Sequence, residues 1–341
     1  MTTLSVLDLA PIVEGSDAGT ALENTLDLAR HAEIWGFTRY WLAEHHNMPG
    51  IASAATAVVI GHVAQGTRSI RVGSGGIMLP NHAPLVIAEQ FGTLEALFPG
   101  RIDLGLGRAP GTDQQTSMAL RRTLHGDIDE FPRDVMELKH YLAPPKKNQR
   151  VHAVPGGGAQ VPIWILGSSL YGAQLAAMLG LPFAFASHFA PAAMMEAIDI
   201  YRSRFEPSEQ QERSYVMLGF NVCAAETDDE ARYLRTSATQ SFLKLRSGTP
   251  GRLPPPVDDL ELTPAQQKML DEMRSASAVG SAETVAKEID NFLLKTGADE
   301  LIISCQMHEH IKRLRSYEIV SEVMGLQKNA TAQRTAVDGI A

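Results

Sequence analysis

The stretch whose reading decides the fold runs from Ser69 to Gly111, SIRVGSGGIMLPNHAPLVIAEQFGTLEALFPGRIDLGLGRAPG. Ile70 to Val72 is a short β-forming run. It ends in Gly73-Ser74-Gly75-Gly76, where the backbone calls on glycine's freedom. Pro84 sits where a first helical turn tolerates proline. Ile87, Phe91, Leu94 and Phe98 follow at the spacing of a helix with one buried face. Pro99-Gly100 stops that helix. Arg101 to Gly107 alternates into a second strand, and Arg108 follows at its C-terminal end. The stretch is one β-α-β unit, and such units build parallel sheets.

Working outward, strand-like runs fall near residues 4, 38, 69, 101, 161, 182, 215 and 300, with helical segments between nearly every pair. Eight strands alternating with helices predict a (β/α)8 TIM barrel. An open doubly wound sheet is the competing architecture. One domain is expected over residues 1–327, with a polar tail over 328–341. Ser247 to Leu262, SGTPGRLPPPVDDLEL, has loop composition throughout and reads as an extended loop insertion before the last helix–strand unit. Thr112 to Gly126 reads as a polar stretch. Ile51 to Gln65 reads as a helix rich in Ala, Ser and Gly, which suits either a tight interface with a second copy or packing on the chain's own barrel.

The composition narrows the partners. The chain has 341 residues, 44% of them hydrophobic, and a formal net charge of −9. An acidic protein without a basic run is a poor candidate for nucleic acid or an anionic membrane. Cys223 and Cys305 lie far apart without metal or redox spacing, which predicts a reducing, cytoplasmic setting. The N-terminus, MTTLSVLDLAP, lacks the features of a secretory signal, and no apolar run approaches the ~20 residues needed to cross a bilayer.

In a barrel of this kind the chemistry sits at the C-terminal ends of the strands. The residues placed there are Asp8, Glu44-His45-His46, Gly73 to Gly76, Arg108, Ser168-Ser169 and Ser187-His188. Adjacent histidines point to opposite sides of an extended chain, so one of His45 and His46 is expected to face the pocket. For the same reason they are not expected to ligate a metal together with Glu44. Arg108 beside Gly107 suits a bidentate phosphate contact, or a structural ion pair. Gly167-Ser168-Ser169 leads straight into a helix, an arrangement that binds phosphate at free N–H groups or simply caps the helix. Arg108 and the serine turn could hold one phosphate from two sides. Gly105-Leu106-Gly107 is a poor match to a dinucleotide fingerprint, because the third glycine is displaced and no acidic residue follows at the right distance.

At these residues the chain resembles the bacterial luciferase-like flavin monooxygenases. The resemblance covers about Val6 to Gly325 and is carried by WLAEHHN, by the Val72–Gly111 stretch, by PIWILGSSLYGAQLAAMLGLPFAFASHF and by VGSAETVAKEI. It implies a barrel that binds reduced FMN or, in other branches, deazaflavin F420. It implies that His45 assists flavin peroxide chemistry or substrate deprotonation. Gly75-Gly76 matches the family's non-proline cis peptide against the flavin ring, and Arg108, Ser168 and Ser169 fall where members hold the flavin phosphate. The loop from Ser247 falls where luciferase relatives carry a mobile lid. Gly107 stands where the luciferase catalytic subunit has a reactive cysteine, and the serine turn lacks the acidic residue found there, so light emission and long-chain aldehyde oxidation are not expected. The function expected is a two-component FMN-dependent monooxygenase. A separate flavin reductase supplies the reduced cofactor, and O2 and a small organic substrate complete the reaction in a homodimer. The alternatives are F420-dependent hydride transfer and a non-catalytic flavin-binding subunit of a heteromer.

Overall fold

The computed structural model describes residues 2–109, 114–120 and 130–328. In chain order the elements are β1 (Thr3–Asp8), α1 (Ala18–Trp35), β2 (Arg39–Leu42), α2 (Thr56–Gly66), β3 (Arg71–Met78), α3 (Pro84–Leu97), β4 (Ile102–Gly107) and α4 (Gln114–Leu120). There follow α5 (Phe131–Leu142), β5 (Ile163–Gly167), α6 (Leu170–Leu179), β6 (Phe183–Phe185), α7 (Met194–Ser203), β7 (Val216–Ala224) and α8 (Asp228–Arg246). The chain ends with α9 (Pro264–Met273), β8 (Ser277–Gly280), α10 (Ala282–Thr296), β9 (Glu300–Ser304) and α11 (His310–Val323).

The parallel strands run in the order β6-β5-β4-β3-β2-β1-β9-β7, and pairing of β6 with β7 closes them into an eight-stranded barrel. The expected (β/α)8 architecture is therefore the observed one, and all eight expected strands are staves of the barrel. The short strand β8 pairs only with the far half of β7, Asn221 to Ala224, and stands outside the closed ring.

Side-chain alternation sorts each strand into two layers. Ile102, Leu104 and Leu106 of β4 join the large cluster under the helices, as do Leu4 and Val6 of β1, Tyr40 and Leu42 of β2, and Leu301 and Ile303 of β9. The alternate positions fill the barrel: Leu7, Trp41, Trp164, Ala184, Met217 and Ile302 form a second cluster inside it. Trp164 makes edge-to-face contacts with Trp41 at 5.2 Å and with Tyr215 at 5.6 Å between ring centroids. At the N-terminal strand ends the barrel is plugged by charge. Arg39 bridges Asp103 at 2.9 Å and Glu300 at 3.0 Å, and Arg71 meets Asp103 at 2.6 Å. Asp103 and Glu300 are fully buried, so this plug serves stability, leaving the opposite rim for chemistry.

That rim is roofed by one contiguous excursion from β7 to β8. Thr227 caps α8 by accepting from the Glu230 N–H, which starts the helix. The proline-rich segment that follows is a strap with irregular backbone. Leu253 exchanges backbone hydrogen bonds with Ile12 and Glu14, the Ser237 hydroxyl donates to the Pro254 carbonyl, and Leu253 is buried. Gly50 lies against the strap so closely that a β-carbon there would sit 2.3 Å from the Gly251 oxygen. Thr263 then opens α9 through a capping box with Gln266.

Much of the expected polar stretch 112–126, and nearly all of the expected tail 328–341, lie outside the described residues. Both cysteines are free and buried. Among the described residues no helix is long and apolar enough to cross a membrane.

Candidate active site

A cavity of about 1420 Å³ opens between the barrel's C-terminal rim and the roof. Pockets that take one drug-sized ligand are roughly 300–1,000 Å³, so this one has room for two molecules. His45, Gly75, Gly76, Arg108, Ser168 and Ser169 all line it.

The wall beneath is glycine for steric reasons. The Gly75–Gly76 peptide bond is cis. A β-carbon at Gly75 would lie 2.7 Å from Leu7 Cδ1, and one at Gly76 would lie 2.7 Å from the Gly105 oxygen. The register between β3 and β4 shifts across this point, between Ser74 and Ile77. Gly107 is different: the nearest atom to a β-carbon there is 3.8 Å away, so the space beside Arg108 is open.

Arg108 leaves the end of β4 and stacks its guanidinium on the Tyr171 ring, 4.1 Å from the centroid. Among the described residues no carboxylate forms a salt bridge with it. Ser169 holds the N-cap position of α6, yet its side chain makes no capping bond. Ser168 and Ser169 are exposed to the cavity. A preorganised cation and a helix N-terminus with available hydroxyls are a chemical fit for a phosphate.

Asp8 corrects the reading of strand ends. It does not line the cavity, because even-numbered positions of β1 face the helices. It is fully buried and bonded to Arg313 of α11 at 2.6 Å, to the Thr25 hydroxyl of α1 at 2.7 Å and to the Tyr40 hydroxyl. Burial raises its carboxyl, but the Arg313 charge and these donors outweigh burial and hold it below its ordinary value.

Glu44 is 1% exposed on its side chain and accepts 2.8 Å bonds from His46 and His82 on one oxygen. Its other oxygen accepts the Met78 N–H at 3.1 Å. Burial works to raise this carboxyl, yet His82, His46 and Met78 hold it below its ordinary value. An ionised carboxylate only accepts, so both imidazoles donate through Nε2. These three residues have the donor set of a metal site, with ligand atoms within 4.8 Å of one another, but the hydrogen bonds account for the arrangement. The partner that sequence reasoning missed is His82. It follows β3 in the chain and meets Glu44 only because β2 and β3 are neighbours.

His188, expected at the end of β6, faces the cavity. Its carbonyl accepts from the Asn221 amide at 2.6 Å. Its Nδ1 is buried without a hydrogen-bond partner and packs on Gly219. Burial, reinforced by the charge of nearby His45, pushes His188 from an ordinary 6.5 down to about 4. The ring is therefore neutral near pH 7. A bare nitrogen buried at Nδ1 is less costly than an orphaned N–H, which leaves the proton on Nε2.

The profile of the luciferase-like monooxygenase family matches residues 2–300. The chain belongs to the luciferase-like monooxygenases. A luciferase-like monooxygenase of Escherichia coli (strain K12) is 54% identical over 321 residues, covering 94% of this chain and 96% of that one. The N-acetyl-S-alkylcysteine monooxygenase of Bacillus subtilis (strain 168) is 31% identical over 336 residues, covering 95% and 98% of the two chains. Among solved structures, apo-MsnO8 superposes with a TM-score of 0.87 at 33% identity, over 96% of this chain and all of that one. More distant luciferase-like folds show both cofactor types. A type II Baeyer-Villiger monooxygenase component of Pseudomonas putida, in complex with FMN, matches with a TM-score of 0.70 at 18% identity, covering 94% and 97%. An F420-dependent secondary alcohol dehydrogenase matches with a TM-score of 0.67 at 16% identity, covering 94% and 98%. At such identities these two likenesses concern the fold alone.

Proposed function

We propose that this chain is a two-component monooxygenase that takes reduced FMN from a separate reductase and, with O2, oxygenates a small organic molecule. We further infer that it works in the cytoplasm as a homodimer. The observation that carries the reading is a single cavity uniting the Gly75–Gly76 wall, the Arg108–Ser168–Ser169 corner and the imidazoles of His45 and His188.

The roles follow from the chemistry of these groups. Arg108 and the two serines anchor the cofactor phosphate, and Tyr171 keeps the guanidinium in place beforehand. Gly75 and Gly76 give the flavin ring a surface free of side chains. When bound, reduced FMN supplies the two electrons with which one oxygen atom enters the substrate and the other leaves as water. His45 holds or moves the proton at the reacting end of the substrate. His188, neutral, offers an Nε2–H as a fixed donor and not as an acid. The roof of α8, strap and α9 keeps bulk water from the reacting atoms. Among aldehydes, ketones and sulfur compounds, the named activity of the Bacillus relative favours a sulfur compound. Support for a dimer comes from Val58 on α2 and Leu97 on α3, large apolar side chains that are 73% and 65% exposed.

Anaerobic titration with reduced FMN, followed by admission of air, tests the reading. Binding that Arg108→Ala weakens, with O2 consumption coupled to substrate, supports it. Binding of reduced F420 and not FMN overturns it in favour of hydride transfer. Flavin binding without turnover on any substrate points to a non-catalytic subunit. Sedimentation showing monomer alone overturns the dimer.

A further inference from the structure

The roof helix α8 presents Arg235, Thr239, Phe242 and Arg246 to the cavity, a stripe at helical spacing. The cations along this side have different circumstances. Arg232 pairs with Asp229, and Arg274, just after α9, pairs with Asp271. Arg246, exposed at the outer end of α8, stacks its guanidinium on Phe189 at 5.0 Å and on Phe242 at 5.2 Å. Arg235 is half-buried and, among the described residues, has no salt-bridge or side-chain hydrogen-bond partner.

Among the described residues no carboxylate forms a salt bridge with Arg235, and Glu288 of α10 is an acid that lines the same cavity. The electrostatic neighbours of Arg235 are the Cys223 and Cys305 thiols. Burial pushes the Cys223 thiol far above its ordinary range, and burial also raises Cys305. Both therefore stay protonated and neutral at physiological pH. The acids on α8 are engaged elsewhere: Glu230 with Lys312, Asp229 with Arg232, and Asp228 as acceptor of the Ser281 N–H. Arg313, buried below, is matched by Asp8. A guanidinium taken partly out of water without a counter-charge is unfavourable, and a ligand carboxylate in the cavity would supply the missing charge.

We propose that the substrate carries a carboxylate that pairs with Arg235, with its apolar body running between Phe242 and the barrel rim towards His45 and His188. Arg235 is then a specificity-determining residue, and the substrate class is a small organic acid with its oxidisable end remote from the carboxylate. This rests on the monooxygenase reading for placing substrate in this cavity. It concerns the roof, whereas the cofactor corner of Arg108 and the serines belongs to the barrel.

The test uses the full chain and a matched pair of probes, octanoate and octanamide, followed by titration calorimetry. The expected result is that octanoate binds about tenfold or more tightly than octanamide, that Arg235→Gln abolishes the difference, and that Arg235→Lys keeps part of it. Arg108→Gln is expected to leave the preference in place. Equal affinities in the wild type, no octanoate binding, or a preference that survives Arg235→Gln each overturn the proposal. So does a preference lost in Arg108→Gln alone, which would seat the carboxylate in the cofactor corner. Because Arg235 has no salt-bridge or side-chain hydrogen-bond partner among the described residues, Arg235→Gln is expected to fold, with an unchanged or raised Tm. Reduced-FMN titration of the same samples separates the two readings: flavin binding without carboxylate preference sinks only this one, and carboxylate preference without flavin binding sinks only the cofactor assignment.

Discussion

The imidazole of His188 rests directly on the α-carbon of Gly219, so closely that a β-carbon at 219 would lie 1.9 Å from Nδ1. The ring's position in the cavity is thus set by the absence of a side chain on the neighbouring strand β7. Gly219→Ala is expected to destabilise the protein by about 1–3 kcal/mol through overpacking. The double variant Gly219→Ala/His188→Ala should recover most of that loss, because it removes the colliding ring. Chemical denaturation of the four proteins in this cycle measures the coupling, and additive effects would contradict the contact.

The same histidine makes stability depend on pH. Its folded-state pKa is depressed, from 6.5 to about 4, so the unfolded chain binds a proton that the folded chain refuses. Its contribution is complete above pH 6.5 and is lost as the pH falls from 6.5 towards about 4. Relative to His188→Gln, the wild type should lose about 1–3 kcal/mol across that window. Parallel pH–stability curves for the two proteins would refute this.

Arg108 is stacked on Tyr171 and lines the cavity beside the serine turn. Arg108→Ala should weaken reduced-FMN binding by about 2 kcal/mol, roughly thirtyfold, the scale of a charge-assisted contact. Tyr171→Leu should have a smaller effect, because it loosens the guanidinium without removing it. Anaerobic fluorescence titration reads both, and an unchanged dissociation constant in Arg108→Ala would remove it from the cofactor corner.

Asp8 and Arg313 are a buried pair at 2.6 Å. Asp8→Ala strands the guanidinium and should cost about 3–5 kcal/mol, whereas replacing both residues together should cost less. Thermal and denaturant unfolding measure the difference. A mild effect of Asp8→Ala would mean that the carboxylate does little for the fold.

The barrel was readable from the sequence because each stave is a short apolar or alternating run bounded by Gly, Pro or a helix stop, as in Val72 to Gly76 and Arg101 to Gly107. Strand β8, four residues of small and apolar type, has no pattern of its own and exists by pairing with the overhanging half of β7. Helix α9 did carry a signal, Thr263-Pro264 with Gln266, which is a capping box with proline in the first turn. Asp8 stands at a strand end, but side-chain parity decides its side: with Leu7 inside the barrel, Asp8 must face out. His82 and Arg235 were invisible for another reason. Each owes its surroundings to elements brought together by closure of the barrel and its roof, and no spacing in the chain records that.

The groups proposed for cofactor and proton handling, from His45 to His188, all precede residue 190, and the roof is one uninterrupted segment hung between β7 and β8. On the proposed reading, cofactor handling and the roof's carboxylate contact lie in separate segments of the chain. A relative's segment from Glu226 to Ser281, exchanged whole, would be expected to carry its substrate preference with it, provided that it keeps the contacts of Leu253 with Ile12 and Glu14 and still covers the cavity.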